Sequence, residues 1–70
     1  MKFKYGDVVE VNSGFYKGQK GIVYRCEPIT SFFGFLYTYE YQVELEDDSL
    51  LLLEDELTLI RREQENNGTH

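Results

Sequence analysis

The chain is short of the residues from which most catalytic and cross-linked proteins are built. Its one cysteine, Cys26, has no second thiol to pair with, so the fold is not a disulfide scaffold, and a reducing cytoplasm suits it. Its one histidine is the final residue, His70, and forms no credible pair with Cys26. No Ser-His-Asp set, zinc spacing or phosphate-binding glycine loop is present. The acidic runs Glu46-Asp47-Asp48 and Glu54-Asp55-Glu56 lack the alternate-position ligands and the glycine of a calcium loop. They read as a solvated turn and a capped turn. These absences predict a protein that is not an enzyme and carries no cofactor or metal. No charged-then-apolar leader opens the chain, and no apolar run approaches the roughly 18 residues of a membrane span. A cytoplasmic protein with no membrane partner is expected.

Basic residues are missing from a long stretch. Residues 29–60 hold eight acids and no base, whereas residues 1–28 carry five bases against three acids. The net charge of −6 therefore conceals a mildly basic first half and a strongly acidic second half. Such a split can orient binding. It argues against broad contact with a phosphate backbone, which is neutralised by many cations at once.

What is abundant is aromatic. Six Tyr and five Phe make up 16% of the 70 residues, and aromatic side chains suit a pleated, half-buried surface. Asp7-Val8-Val9-Glu10-Val11 alternates as a half-buried strand does. Asn12-Ser13-Gly14 ends it, and the glycines at 14, 18 and 21 suit a folded-back loop. Ile22 to Cys26 reads as a second strand, closed by Pro28. From Phe33 to Leu45 an aromatic or aliphatic residue occupies every second position, the period of a strand, with Gly34 marking a bulge or turn. Glu46 to Ser49 reads as a turn, Leu50–Leu53 as a buried strand, Glu54–Leu57 as a 3-10 turn and Thr58–Ile60 as a last strand. The fold class is all-β. Five short strands with a single 3-10 turn before the last are expected to curl into a small barrel, because a chain this size buries only about 60% of its unfolded surface and must limit exposed edges. Residues 1–61 form this one domain, and residues 62–70 are a polar tail expected to be disordered.

Gly6-Asp7, Val9, Val11, Gly14, Lys17-Gly18, Gly21 and Val23 together resemble the KOW motif of NusG-type transcription elongation factors and several ribosomal proteins. The match spans about a quarter of the chain. It implies an SH3-like barrel, a fold also found in free-standing accessory proteins of bacteria and their phages. The resemblance implies that the loop from Phe15 to Lys20 touches RNA or protein.

The candidate partner-binding residues fall in two segments. In the glycine loop they are Phe15, Tyr16, Lys17 and Lys20: aromatic loop tips anchor interfaces, and the lysines suit phosphates or carboxylates. One of the two aromatics is expected to pack back onto the barrel. The second segment is Phe32, Phe33 and Phe35, in a place where a soluble chain ordinarily puts polar residues. A contiguous exposed apolar patch there marks an interface, with a protein partner or a second copy. The alternative is a hairpin folded over the barrel end. The leading reading is a protein–protein interaction module acting on a transcription, translation or DNA-metabolism component. The competing readings are an RNA binder using Lys2, Lys4, Lys17, Lys20 and Arg25, and an acidic inhibitor of a nucleic-acid-binding enzyme.

Overall fold

A computed structural model describes residues 1–62. The elements run β1 (Asp7–Val11), β2 (Lys20–Thr30), β3 (Leu36–Glu44), β4 (Ser49–Leu53), a 3-10 turn (Glu54–Glu56) and β5 (Leu57–Arg62). All five strands belong to one antiparallel sheet in the order β4-β3-β2-β1-β5.

Strand alternation explains which side chains are inside. In β1, Asp7, Val9 and Val11 are buried while Val8 and Glu10 are half-exposed. In β3 the buried positions are Tyr41 and Val43, continued by Leu45 just beyond the strand. Phe3, Val23 and Leu57 complete the core. Each fully buried side chain of this size contributes about 1.5–3 kcal/mol, so eight residues make a small core.

Two turns show why the connecting residues are what they are. Gly14 and Gly18 have φ of +81° and +94°, the left-handed region that strains any side chain-bearing residue. Around them Gly18 N donates to Val11 O at 2.8 Å and Gln19 N to Tyr16 O at 3.0 Å. Gly21 serves differently. It is not a turn residue but a member of β2, where an added Cβ would lie 2.5 Å from Glu44 O and 2.7 Å from both Val43 and Leu45 side chains. At the other turn Leu45 N donates to Asp48 O at 2.7 Å, and Asp48 Oδ1 accepts from Ser49 N at 3.0 Å.

The structure corrects four expectations. The sheet is not closed into a barrel: β4 and β5 are its two edges. The 3-10 turn between them is only three residues long, about 6 Å of rise. It brings the end of one edge close to the start of the other, and β5 then takes its hydrogen bonds from β1. Second, β4 is not a buried strand. Leu50 and Leu52 pack on the core, while Leu51 is 62% exposed, because an edge strand of a one-sided sheet has only one covered face. Third, Pro28 does not close β2, which continues to Thr30. Pro28 is opposite Tyr39 on β3. No strand flanks its other side, since β1 pairs with β2 only as far as Ile22, so the missing N–H costs no ladder bond. Finally, Arg62, placed in the tail by the sequence, belongs to β5 and pairs with Asp7. The rest of that tail, 63–70, lies outside the described residues.

Candidate functional site

The β2–β3 hairpin outgrows the sheet that supports it. On one side β1 leaves β2 at Ile22, with one further bond from Gly6 N to Val23 O. On the other, β4 leaves β3 at Glu40. Beyond those points the pairs Pro28–Tyr39, Ile29–Thr38 and Thr30–Leu36 are flanked by neither strand. Residues 28–39 thus form a two-stranded arm, and a ribbon of two strands has little stability of its own.

The composition of the arm is unusual for this chain. In a protein that is 29% charged, residues 28–39 contain no charged residue at all. Phe32, Phe33, Phe35 and Tyr37 are 96%, 81%, 73% and 80% exposed. The tip satisfies its own backbone. Ser31 N donates to Phe35 O at 2.8 Å, Gly34 N donates to Ser31 O at 2.9 Å, and Ser31 Oγ accepts from Phe33 N and Phe35 N at 3.3 and 3.2 Å. Gly34 adopts φ of +89° to close the turn. The phenyl rings are left without a core to enter; Phe32 and Phe33 meet only edge to face, with centroids 5.4 Å apart. The aromatic alternation of β3 is therefore divided: Tyr41 is buried, Tyr39 packs against the core, and those nearer the tip are outside. The hairpin does not fold over the end of the sheet.

The glycine loop lies at the opposite end of β2. Lys20 and Thr30 are the two ends of an eleven-residue strand, about 34 Å apart when extended. The two candidate segments are thus not brought together. Phe15 is 92% exposed, and Lys17 and Lys20 are exposed as well. Tyr16 is the aromatic that packs back. Its ring lies against the core and its hydroxyl donates to Asp48 Oδ2 at 3.1 Å; that hydrogen bond to a carboxylate raises the phenol's pKa.

Polar groups that the sequence reading passed over hold the base of the sheet. Asp7 is buried and accepts from Lys4 N and from Arg62. Tyr41, itself buried, donates its hydroxyl to Glu54 Oε2 at 2.5 Å, and Phe3 N donates to that hydroxyl at 3.3 Å. Burial and the Glu54 contact drive the Tyr41 pKa far above its ordinary value, while the Tyr41 hydrogen bond lowers that of Glu54. The signal for Asp7 was an acid in the inward register of a valine strand.

Among the described residues no group of three or more His, Cys, Asp or Glu side chains is placed to hold a metal ion. No helix among them is long and apolar enough to cross a membrane. No protein-family model, curated protein or solved structure matches the chain.

Proposed function

We propose that this chain is a small, non-catalytic binding module that engages a protein partner through the β2–β3 arm. On this reading it is an accessory protein of transcription, translation or DNA metabolism, and its open five-stranded sheet is a variant of the SH3-like fold of the KOW type. The observation that carries the proposal is the arm itself: twelve successive residues without charge, 28–39, with four exposed aromatic rings at and near the tip. Exposed apolar area of this kind is the feature that marks interaction surfaces, and aromatic anchors dominate their energetics. The resemblance in Gly6–Val23 and the three-residue link between the edge strands support the SH3-like assignment.

The test is the double substitution Phe33→Ser and Phe35→Ser, read by thermal melting with circular dichroism and by association in pull-down and sedimentation. An unchanged melt with lost association is expected. A collapsed melt would make these rings part of the fold and overturn the reading.

A second reading rests on the other loop, where exposed Phe15 stands beside Lys17 and Lys20. An aromatic flanked by cations is a motif of nucleic-acid contact. The eight acids of residues 29–60 weigh against it.

A further inference from the structure

The core face of the sheet runs out past its cover. Tyr41, Tyr39 and Tyr37 occupy every second position of β3, so they share the face that holds the core. Tyr41 is fully buried, Tyr39 is half-buried against the core, and Tyr37 is 80% exposed. Across the hairpin Cys26 stands opposite Tyr41 and Pro28 opposite Tyr39, and directly paired side chains lie on one face. The row is covered at its base, where the Phe3 ring meets the Tyr41 ring edge to face with centroids 5.1 Å apart. Towards the tip it is open. This face of the arm carries no charge, whereas on the opposite face, at the root of the arm, Glu27 stands opposite Glu40. The three phenyl rings of the tip lie past the register shift between Ile29 and Thr30 and enter by their exposure alone.

Charge and area name the occupant. The chain carries a net charge of −6, so most apposed surfaces of two copies repel each other. A face without charge does not, and it is complementary to itself across a twofold axis. Tyr37, Phe32, Phe33 and Phe35 are 80%, 96%, 81% and 73% exposed. At roughly 150–250 Å² for a buried aromatic side chain, the four can give up about 500–800 Å² in each copy. A standard interface takes about 800 Å² from each partner. A core of eight residues with one unpaired cysteine is also of the size that oligomerisation commonly completes.

We propose that the partner of the arm is a second copy of this chain, the two arms lying face to face across a twofold axis with the Tyr37–Tyr39–Pro28 face of each covering that of the other. This rests on the arm being a binding surface, as argued above, and names the protein it binds. The core row of each sheet then continues under the other copy's arm.

The experiment compares the full chain with Tyr37→Lys and Thr38→Lys. The two substitutions fall on neighbouring residues of one strand but on opposite faces, and each makes the chain one unit less negative. A lost association therefore cannot come from net charge. Sedimentation over a range of concentrations should show a monomer passing to a dimer, and the melting temperature should rise with concentration, because the dimer holds only folded chains. Tyr37→Lys should weaken the dimer about tenfold or more, as the loss of a buried aromatic anchor does. Thr38→Lys should leave it unchanged. Both variants should melt with the parent chain at low concentration. In a mixture of labelled and unlabelled parent chains, nuclear Overhauser effects should connect the Tyr37 and Tyr39 rings to the other copy. If Tyr37→Lys melts low, these cross-copy effects decide: present they support the assignment, absent they overturn it. A parent chain that is monomeric at about 1 mM, a dimer equally sensitive to both substitutions, or open-ended association without a dimer plateau also overturns it. A monomer that loses a different protein partner on Phe33→Ser and Phe35→Ser refutes the second copy and keeps the arm. A dimer indifferent to Tyr37→Lys and to that double substitution refutes the arm itself, so the two failures are distinguishable.

Discussion

Asp7 and Arg62 join the first strand to the last through a forked ion pair. Arg62 Nε lies 3.1 and 3.2 Å from Asp7 Oδ1 and Oδ2, and Nη2 lies 3.0 Å from Oδ2. The same Nη2 donates to Lys2 O at 2.9 Å, so one guanidinium ties the amino-terminal segment, β1 and β5 together. The Asp7 side chain is 1% exposed and that of Arg62 is 23% exposed. Two planar donors matched to two carboxylate oxygens give such a pair both strength and direction.

The unequal burial sets an order of effects. Arg62→Ala leaves a fully buried carboxylate with little beyond Lys4 N to hold it, and should destabilise the fold by about 3–5 kcal/mol. Asp7→Ala leaves a guanidinium that can turn toward water, so its loss should be smaller. Urea melts of both variants and of Asp7→Asn check this order. A larger loss for Asp7→Ala than for Arg62→Ala would show that the carboxylate's role is mainly to accept Lys4 N.

Tyr41 and Glu54 should shape the pH dependence at both ends. Glu54 has its pKa lowered in the folded chain from 4.5, chiefly by the Tyr41 hydrogen bond. Its contribution is present above pH 4.5 and fades as the pH falls through the lower folded value. Tyr41 has its pKa raised from 10.0, first by burial and then by the Glu54 bond. Its contribution is intact below pH 10 and is lost as the pH rises beyond it. Melting curves from pH 3 to pH 11 should fall at both ends, and Tyr41→Phe should flatten both limbs. An alkaline limb that is unchanged in Tyr41→Phe would assign it to other groups.

The core and its one close-packed glycine should both be intolerant of change. Leu45→Ala and Leu57→Ala each remove a buried side chain and should lose about 2–5 kcal/mol, a large share of the stability of a small domain. Gly21→Ala should be at least as damaging as a turn-glycine substitution, because its Cβ would meet the Glu44 carbonyl at 2.5 Å. Gly14→Ala meets nothing within 4 Å but sits at φ +81° and should lose about 1–2 kcal/mol to backbone strain. Equal melting of Gly21→Ala and the parent would show that β2 and β3 can separate there freely.

Nucleic acid should bind weakly. Lys17 and Lys20 are exposed at one loop, while the acids of residues 29–60 carry no compensating base. Few phosphates can be neutralised, so the Kd for mixed-sequence RNA or DNA at physiological salt should lie above the micromolar range. Sub-micromolar binding with a steep salt dependence would favour the Phe15–Lys20 loop as the working surface.

Strand positions were legible in the chain because their signals are local. The alternation of Val9 and Val11, the turn residues around Gly14 and Asp47, and the acidic 3-10 turn at Glu54–Glu56 each depend on neighbours within a few residues. The inward set Val9, Val11, Val23, Val43 and Leu45 followed from the same period. The aromatic tip Phe32, Phe33 and Phe35 was visible as apolar residues where a turn belongs, and Ser31 and Gly34 explain how a turn can hold them there. Other features are settled by which strand lies beside which. Leu51 and Tyr37 are as apolar as Val43 and Tyr41, yet β4 is an edge and the arm outruns its neighbours, so one pair faces water and the other is covered. Asp7 finds Arg62 across 55 residues of sequence, and Glu27 meets Glu40 only because β2 and β3 adopt one particular register. Periodicity tells a residue which face it is on; only the assembled sheet decides whether that face is covered and whose charge stands opposite.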